Sequence, residues 1–114
     1  MEELRKIIKE FIRARDWEQY HAPKNLAMAL SVEAAEIVEI FQWKKAADPL
    51  TPAEVEHLGQ EIGDVLVYLL ELADKYNIDV IKAAKDKLIL NQKKYPADKV
   101  KGKAKKYTEY LNSE

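Results

Sequence analysis

The chain contains no cysteine, which excludes disulfide scaffolds, thiol catalysis and thiolate-bound zinc. Glycine and proline are scarce, at 3 and 4 of 114 residues, so a turn-rich β fold is disfavoured and long helices are favoured. The net charge is −1, too little for an overall field that attracts nucleic acid or a charged membrane. No apolar run approaches the ~18 residues of a membrane span, and the first residues carry charges where a secretory signal would be apolar. These absences predict a soluble, cytoplasmic protein with neither nucleic acid nor membrane as partner.

What remains is apolar periodicity and acid. With 47% hydrophobic and 34% charged residues, the chain is long enough for one compact domain that buries roughly two-thirds of its unfolded surface. Leu4, Ile7, Ile8, Phe11 and Ile12 follow helical spacing and predict an amphipathic helix over about 3–15. Asp16 to Lys24 breaks that pattern and reads as a loop before Pro23, one that holds two aromatics and a histidine. A second helix is expected from near Asn25 to Trp43 or Lys44. Thr51-Pro-Ala-Glu54 has the form of a capping box and starts a third, running to about Lys75. Val55, Leu58, Ile62, Val65, Leu66, Leu69 and Ala73 form its expected buried stripe. Gly63, costly in a helix, points to a close backbone approach. Asn77-Ile78-Asp79 leads into a fourth helix over about Val80–Tyr95, apolar nearly all round and therefore suited to being covered by another subunit. The expected fold is all-α, with a helical domain over 1–96 and a lysine-rich tail over 97–114 containing Lys99, Lys101, Lys103, Lys105 and Lys106.

The chemistry lies in two acidic pairs. Glu33 projects from the middle of the apolar side formed by Leu26, Leu30, Ile37, Ile40 and Phe41, and Glu36 from its edge. Glu61 and Asp64 repeat the same spacing on the third helix. Carboxylates at i and i+3 share one helix surface. Two such pairs on facing helices make an oxygen-rich cup for Mg²⁺, with Mn²⁺ as substitute, and a poor one for soft metals. Two unit charges about 5 Å apart at an effective dielectric of ~20 repel by roughly 3 kcal/mol, so without a cation the cluster is expected to keep a proton or splay. Lys87 and Asn91, together on one flank of the fourth helix, and Tyr68, one turn beyond Asp64, offer donors to substrate phosphates. Glu39 faces the opposite side of its helix and is expected to be solvated.

The segments Arg15-Asp-Trp-Glu-Gln-Tyr-His21, Pro23-Lys-Asn-Leu26, Glu33-x-x-Glu36, Phe41-Gln-Trp-Lys44, Glu61-x-x-Asp64 with Tyr68, and Asn91 ahead of Tyr95-Pro96 resemble the MazG-like all-α nucleoside triphosphate pyrophosphatases, most closely their dCTP pyrophosphatase branch. The resemblance implies a four-helix protomer assembled as a dimer or a dimer of dimers. It also implies Mg²⁺-dependent hydrolysis of a (deoxy)nucleoside triphosphate, dCTP or a related or modified dNTP, to monophosphate and pyrophosphate. On it, Glu33, Glu36, Glu61 and Asp64 are the metal ligands and catalytic groups. Trp17, Glu18, Gln19, Tyr20, His21, Trp43 and Tyr68 line the nucleotide pocket, and Lys87 and Asn91 meet the phosphates. Ile8 stands where that branch carries a pocket histidine, a departure that bears on base preference. Among the polar groups, Glu18, Gln19 and His21 are placed to discriminate bases.

Two other readings compete. A non-enzymatic helical oligomer binding a nucleotide or a structural cation would show metal-dependent melting without turnover. A carboxylate-bridged di-iron oxidase would need two Glu-x-x-His motifs, and Glu54-x-x-His57 has no second copy.

Overall fold

The computed structural model of the chain describes residues 1–102. Its helices are α1 (Glu2–Ala14), α2 (Pro23–Phe41), α3 (Pro52–Lys75), α4 (Val80–Lys94) and a single-turn α5 (Ala97–Val100), with a 3₁₀ turn at Glu18–Tyr20. There is no strand among the described residues, so the all-α expectation holds. The chain divides into two compact units, Met1–Ile78 and the residues from Asp79 onward. Within the described residues no helix is long and apolar enough to cross a membrane. Lys103, Lys105, Lys106 and the rest of the expected tail lie outside the described residues.

The first unit is built on the α2–α3 hairpin, with α1 laid against α3. Ile8 and Ile12 bury the inner stripe of α1, and Arg5 pairs with Asp74 of α3. Leu26 on α2 and Leu70 on α3 are the most completely enclosed large side chains, each 1% exposed. The α1 and α3 ends use one device. Asp16 (φ 52°) and Asn77 (φ 54°) take the left-handed conformation that asparagine and aspartate tolerate better than other non-glycine residues. Trp17 N–H then donates to Ile12 C=O and Ile78 N–H to Ala73 C=O, satisfying carbonyls that each helix end leaves open.

Three expectations need correction. Pro23 does not end a loop; it occupies the first turn of α2, because proline's missing N–H is unneeded there and Ala22 before it is extended. The buried face of α3 is also rotated from the purely apolar stripe. Val55, Ile62 and Leu69 are exposed, whereas Glu61, Leu70, Glu71 and Ala73 are buried. Tertiary packing has drawn two carboxylates inside. Finally, a Cβ at Gly63 would meet nothing within 4 Å, so the expected close backbone approach is absent among the described residues. Gly63→Ala should therefore raise stability by ~1 kcal/mol, through restricted unfolded-chain freedom and better helix propensity. A lower melting temperature in that variant would show that something outside the chain approaches the site.

The start of α3 matches the capping box read from the sequence. Thr51 N–H donates to Glu54 Oε1 at 2.9 Å, and Glu54 N–H donates to Thr51 Oγ1 at 3.2 Å. Lys44 Nζ adds a contact to Glu54 Oε1 at 3.0 Å, and these donors together hold the Glu54 carboxyl below its usual range. In the second unit Asp79 caps α4, accepting from Lys82 N–H at 3.0 Å. No α4 residue is buried in the single chain, and Ile81, Leu88, Ile89 and Leu90 are all exposed.

Candidate active site

Glu33 is carried by α2, Glu61 and Asp64 by α3, and the packing of these helices turns the two acidic pairs toward one point. Glu33, Glu61 and Asp64 each offer a carboxylate oxygen, and the three lie within 4.8 Å of one another. Glu61 is 9% exposed, and Oε2 of both Glu33 and Glu61 is buried without a hydrogen-bond partner. Orphaned buried oxygens of this kind are costly unless something positive meets them. The donor set is all oxygen, which suits a hard divalent cation. Burial first, and then the charges of Glu36 and Asp64, push the Glu33 carboxyl up to about 7. Glu36 stands outside the triad, but its interaction with the Glu61 carboxyl is the main cause of its own raised value. So three of the four expected ligands converge, and the fourth, Glu36, interacts with both Glu33 and Glu61.

His57 is exposed, as its sequence position suggests, yet its Nε2 lies 3.3 Å from Glu61 Oε1. Its Glu54 partner in the di-iron reading is committed to the α3 cap and to Lys44, which removes that carboxylate from the acidic cluster.

A cavity of about 270 Å³, which none of the four acids lines, opens against α1, the 3₁₀ turn and the C-terminal end of α3. His21 and Glu71 form its most enclosed polar contact, with Nδ1 and Oε2 3.2 Å apart, although neither atom makes a directed hydrogen bond. Tyr68 stands between the two sites. Its ring centroid is 6.4 Å from that of His21, and its phenol is held above its usual range by burial and by the charges of Glu33, Glu71 and Asp64. Glu71 was not singled out from the sequence, although Glu71-x-x-Asp74 repeats the spacing of Glu61-x-x-Asp64. Its helical register, seven residues after Asp64 and three after Tyr68, was a second signal.

The remaining predicted residues are distributed as follows. Glu18 lines the cavity and pairs with Arg13 at 3.6 Å. The Gln19 amide donates to Asp16 C=O at 3.0 Å and so steadies the α1 end. Trp17 packs edge-on to Phe11, with centroids 5.8 Å apart, and Tyr20 is exposed. Trp43 is 89% exposed and borders a shallow groove that also contains Glu39 and His57. Lys87 and Asn91 stand one turn apart on α4, in the second unit.

Glu71 also sets a pH expectation. Burial raises its carboxyl above 4.5, while His21 and Lys75 pull it down. A raised folded-state value means that its stabilising contribution is present below pH 4.5 and is lost as pH rises through the higher value. Glu71→Gln stays neutral, so melting temperature measured across that range should fall less steeply in the variant.

Residues 28–110 match the model of the MazG-like family. The chain belongs to the MazG-like family. It is 40% identical to human dCTP pyrophosphatase 1 and 41% identical to the rat protein, over 96% of this chain in each case. It spans 66% of the length of those curated relatives. The crystal structure of a pyrophosphatase from Archaeoglobus fulgidus superposes with a TM-score of 0.75 at 46% identity, covering 84% of this chain and 92% of that one. The MazG-like match includes the whole acidic triad, Glu71 and α4, and begins after His21.

Proposed function

We propose that this MazG-like chain hydrolyses deoxynucleoside triphosphates, dCTP or a related or modified dNTP, to the monophosphate and pyrophosphate. The observation that carries this reading is the convergence of Glu33, Glu61 and Asp64, with two buried oxygens left unsatisfied. The names of the human and rat relatives support dCTP as the substrate.

Glu33, Glu61 and Asp64 would hold the cation, Mg²⁺ or Mn²⁺, with Glu36 adjoining through Glu61. When bound, the ion supplies charge neutralisation for the phosphate oxygens. Water attacks the α-phosphorus, the α–β bridging oxygen leaves with pyrophosphate, and a carboxylate accepts the water proton. Glu36 is the member of the set left free of the triad for that task. Lys87 and Asn91 carry donors suited to phosphate oxygens, and the two tryptophans carry faces suited to base stacking. Met28, Val32, Val38 and Ile62 are exposed in the single chain, as is the apolar surface of α4, and we assign these faces to contacts between copies in a homodimer or homotetramer. Nucleoside triphosphates are kept inside cells, so the reading carries a cytoplasmic location.

Incubation with individual dNTPs, with and without Mg²⁺, followed by product separation tests the reaction. Pyrophosphate and monophosphate that form only with the metal support it. Orthophosphate as the first product contradicts the assigned bond, and no turnover of any nucleotide removes the enzyme reading.

A further inference from the structure

Glu71 is the one cavity acid whose neighbourhood does not account for it. It is 7% exposed, yet its Oε2 has no hydrogen-bond donor directed at it. The other two cavity acids have cationic partners, Glu18 with Arg13 at 3.6 Å and Asp74 with Arg5; Lys9 and Lys75 also line the cavity, and Lys75 partly offsets the Glu71 charge. His21 Nδ1 approaches Glu71 Oε2 at 3.2 Å without completing a hydrogen bond, so both atoms remain available. A buried acceptor in this condition costs stability unless a donor arrives from elsewhere. The cavity it lines is open to a ligand.

Position along α3 indicates what end of a ligand would meet it. Glu71 follows Asp64 by seven residues, which at 1.5 Å per residue is about 10 Å along the helix. Tyr68 lies between them on the same side, where its phenol senses Glu33 and Asp64 as well as Glu71. A nucleotide whose phosphates sit at the carboxylate triad covers a span of that order between its α-phosphate and the far edge of its base. A phosphate set against Glu71 itself would meet a buried carboxylate, although Lys9, Arg13 and Lys75 also line the cavity. A neutral base presenting N–H groups would be accepted.

We infer that Glu71, positioned beside His21, determines specificity by accepting a hydrogen bond from an amino group on the substrate base. This inference rests on the nucleotide reading above and adds the base class to it. A carboxylate accepts from an amino group but presents only oxygen to a carbonyl in the same place, so oxo counterparts are rejected. Ile8, which borders the cavity, offers no competing hydrogen bond and leaves the reading of the base edge to the His21–Glu71 side.

The test compares nucleotides that differ by an amino group: dCTP with dUTP, dATP with dITP, and dGTP with dITP. Pyrophosphate release gives kcat/KM for each, with the full chain and Mg²⁺. The unmodified protein should favour at least one amino member by about tenfold or more, the discrimination a good base contact provides. The pair showing it identifies the base. In Glu71→Gln that ratio should collapse towards one, because an amide can both donate and accept, with the loss falling on the amino member. Equal use of all pairs by the unmodified protein overturns the inference without recourse to any variant. So does a Glu71→Gln loss shared equally by both members, which is what a purely structural residue would give. No pyrophosphate from any nucleotide overturns the parent reading itself, a result distinct from turnover without discrimination.

Discussion

Glu33→Gln should lower metal-dependent pyrophosphate release by at least about 100-fold, while the metal-free protein melts no lower than its parent and at pH 8 melts higher. The two effects have one cause. Glu33 is partly cut off from water and crowded by Glu36 and Asp64, so its carboxyl is pushed up to about 7. Above that pH the charged form costs stability in the absence of a cation, and a neutral amide of the same shape removes both the repulsion and the desolvation cost. The same exchange deletes a charged oxygen from a triad whose members lie within 4.8 Å of one another. Loss of a ligand is expected to exceed the 10–100-fold cost of removing an outer partner that only orients one. Calorimetric melting with and without Mg²⁺, beside the product assay, separates the two. The parent should gain melting temperature from Mg²⁺ and the variant should not. A Mg²⁺-dependent rise preserved in Glu33→Gln would remove Glu33 from the metal site.

The convergence of Glu33, Glu61 and Asp64 was foreshadowed in the sequence because helical spacing fixes which residues share a surface. Glu33 is in phase with Leu26, Leu30 and Ile37, and an acid in an apolar phase carries its own signal. Likewise, Thr51, Pro52 and Glu54 announced the start of α3 through local chemistry that no tertiary contact overrides. The inward face of α3 was less accessible. Its apolar residues are spread around much of the helix, so periodicity could not choose between Ile62 and Leu70, or place Glu71 inside. That decision is made by α1 and α2 packing against it. Pro23 misled for a related reason: proline marks both the end of one segment and the first turn of the next helix, and only the extended backbone at Ala22 distinguishes them. The His21–Glu71 contact joins residues fifty positions apart, beyond the reach of any helical spacing.

Leu70→Ala should cost about 3 kcal/mol of stability, within the 2–5 kcal/mol range of fully enclosed leucines, and should lower the melting temperature by on the order of 10–20 °C. Leu70 is 1% exposed, on the turn of α3 that leads from Tyr68 to Glu71, so the void left by truncation lies where the helix must hold its line between triad and cavity. Ile62 is the informative contrast. It is on the same helix and of equal size, but it is 52% exposed in the single chain. If that face meets only water, Ile62→Ala should cost less than about 1 kcal/mol. If a second copy covers it, the cost should approach that of Leu70→Ala and the melting temperature should fall with dilution, since association then contributes to folding stability. Denaturant unfolding of both variants at two protein concentrations tells these cases apart. An Ile62→Ala cost that is small and independent of concentration would remove the α3 outer face from any subunit contact, leaving the apolar surfaces of α2 and α4 to account for assembly. A small cost at Leu70 would contradict the enclosure on which the placement of Glu71 depends.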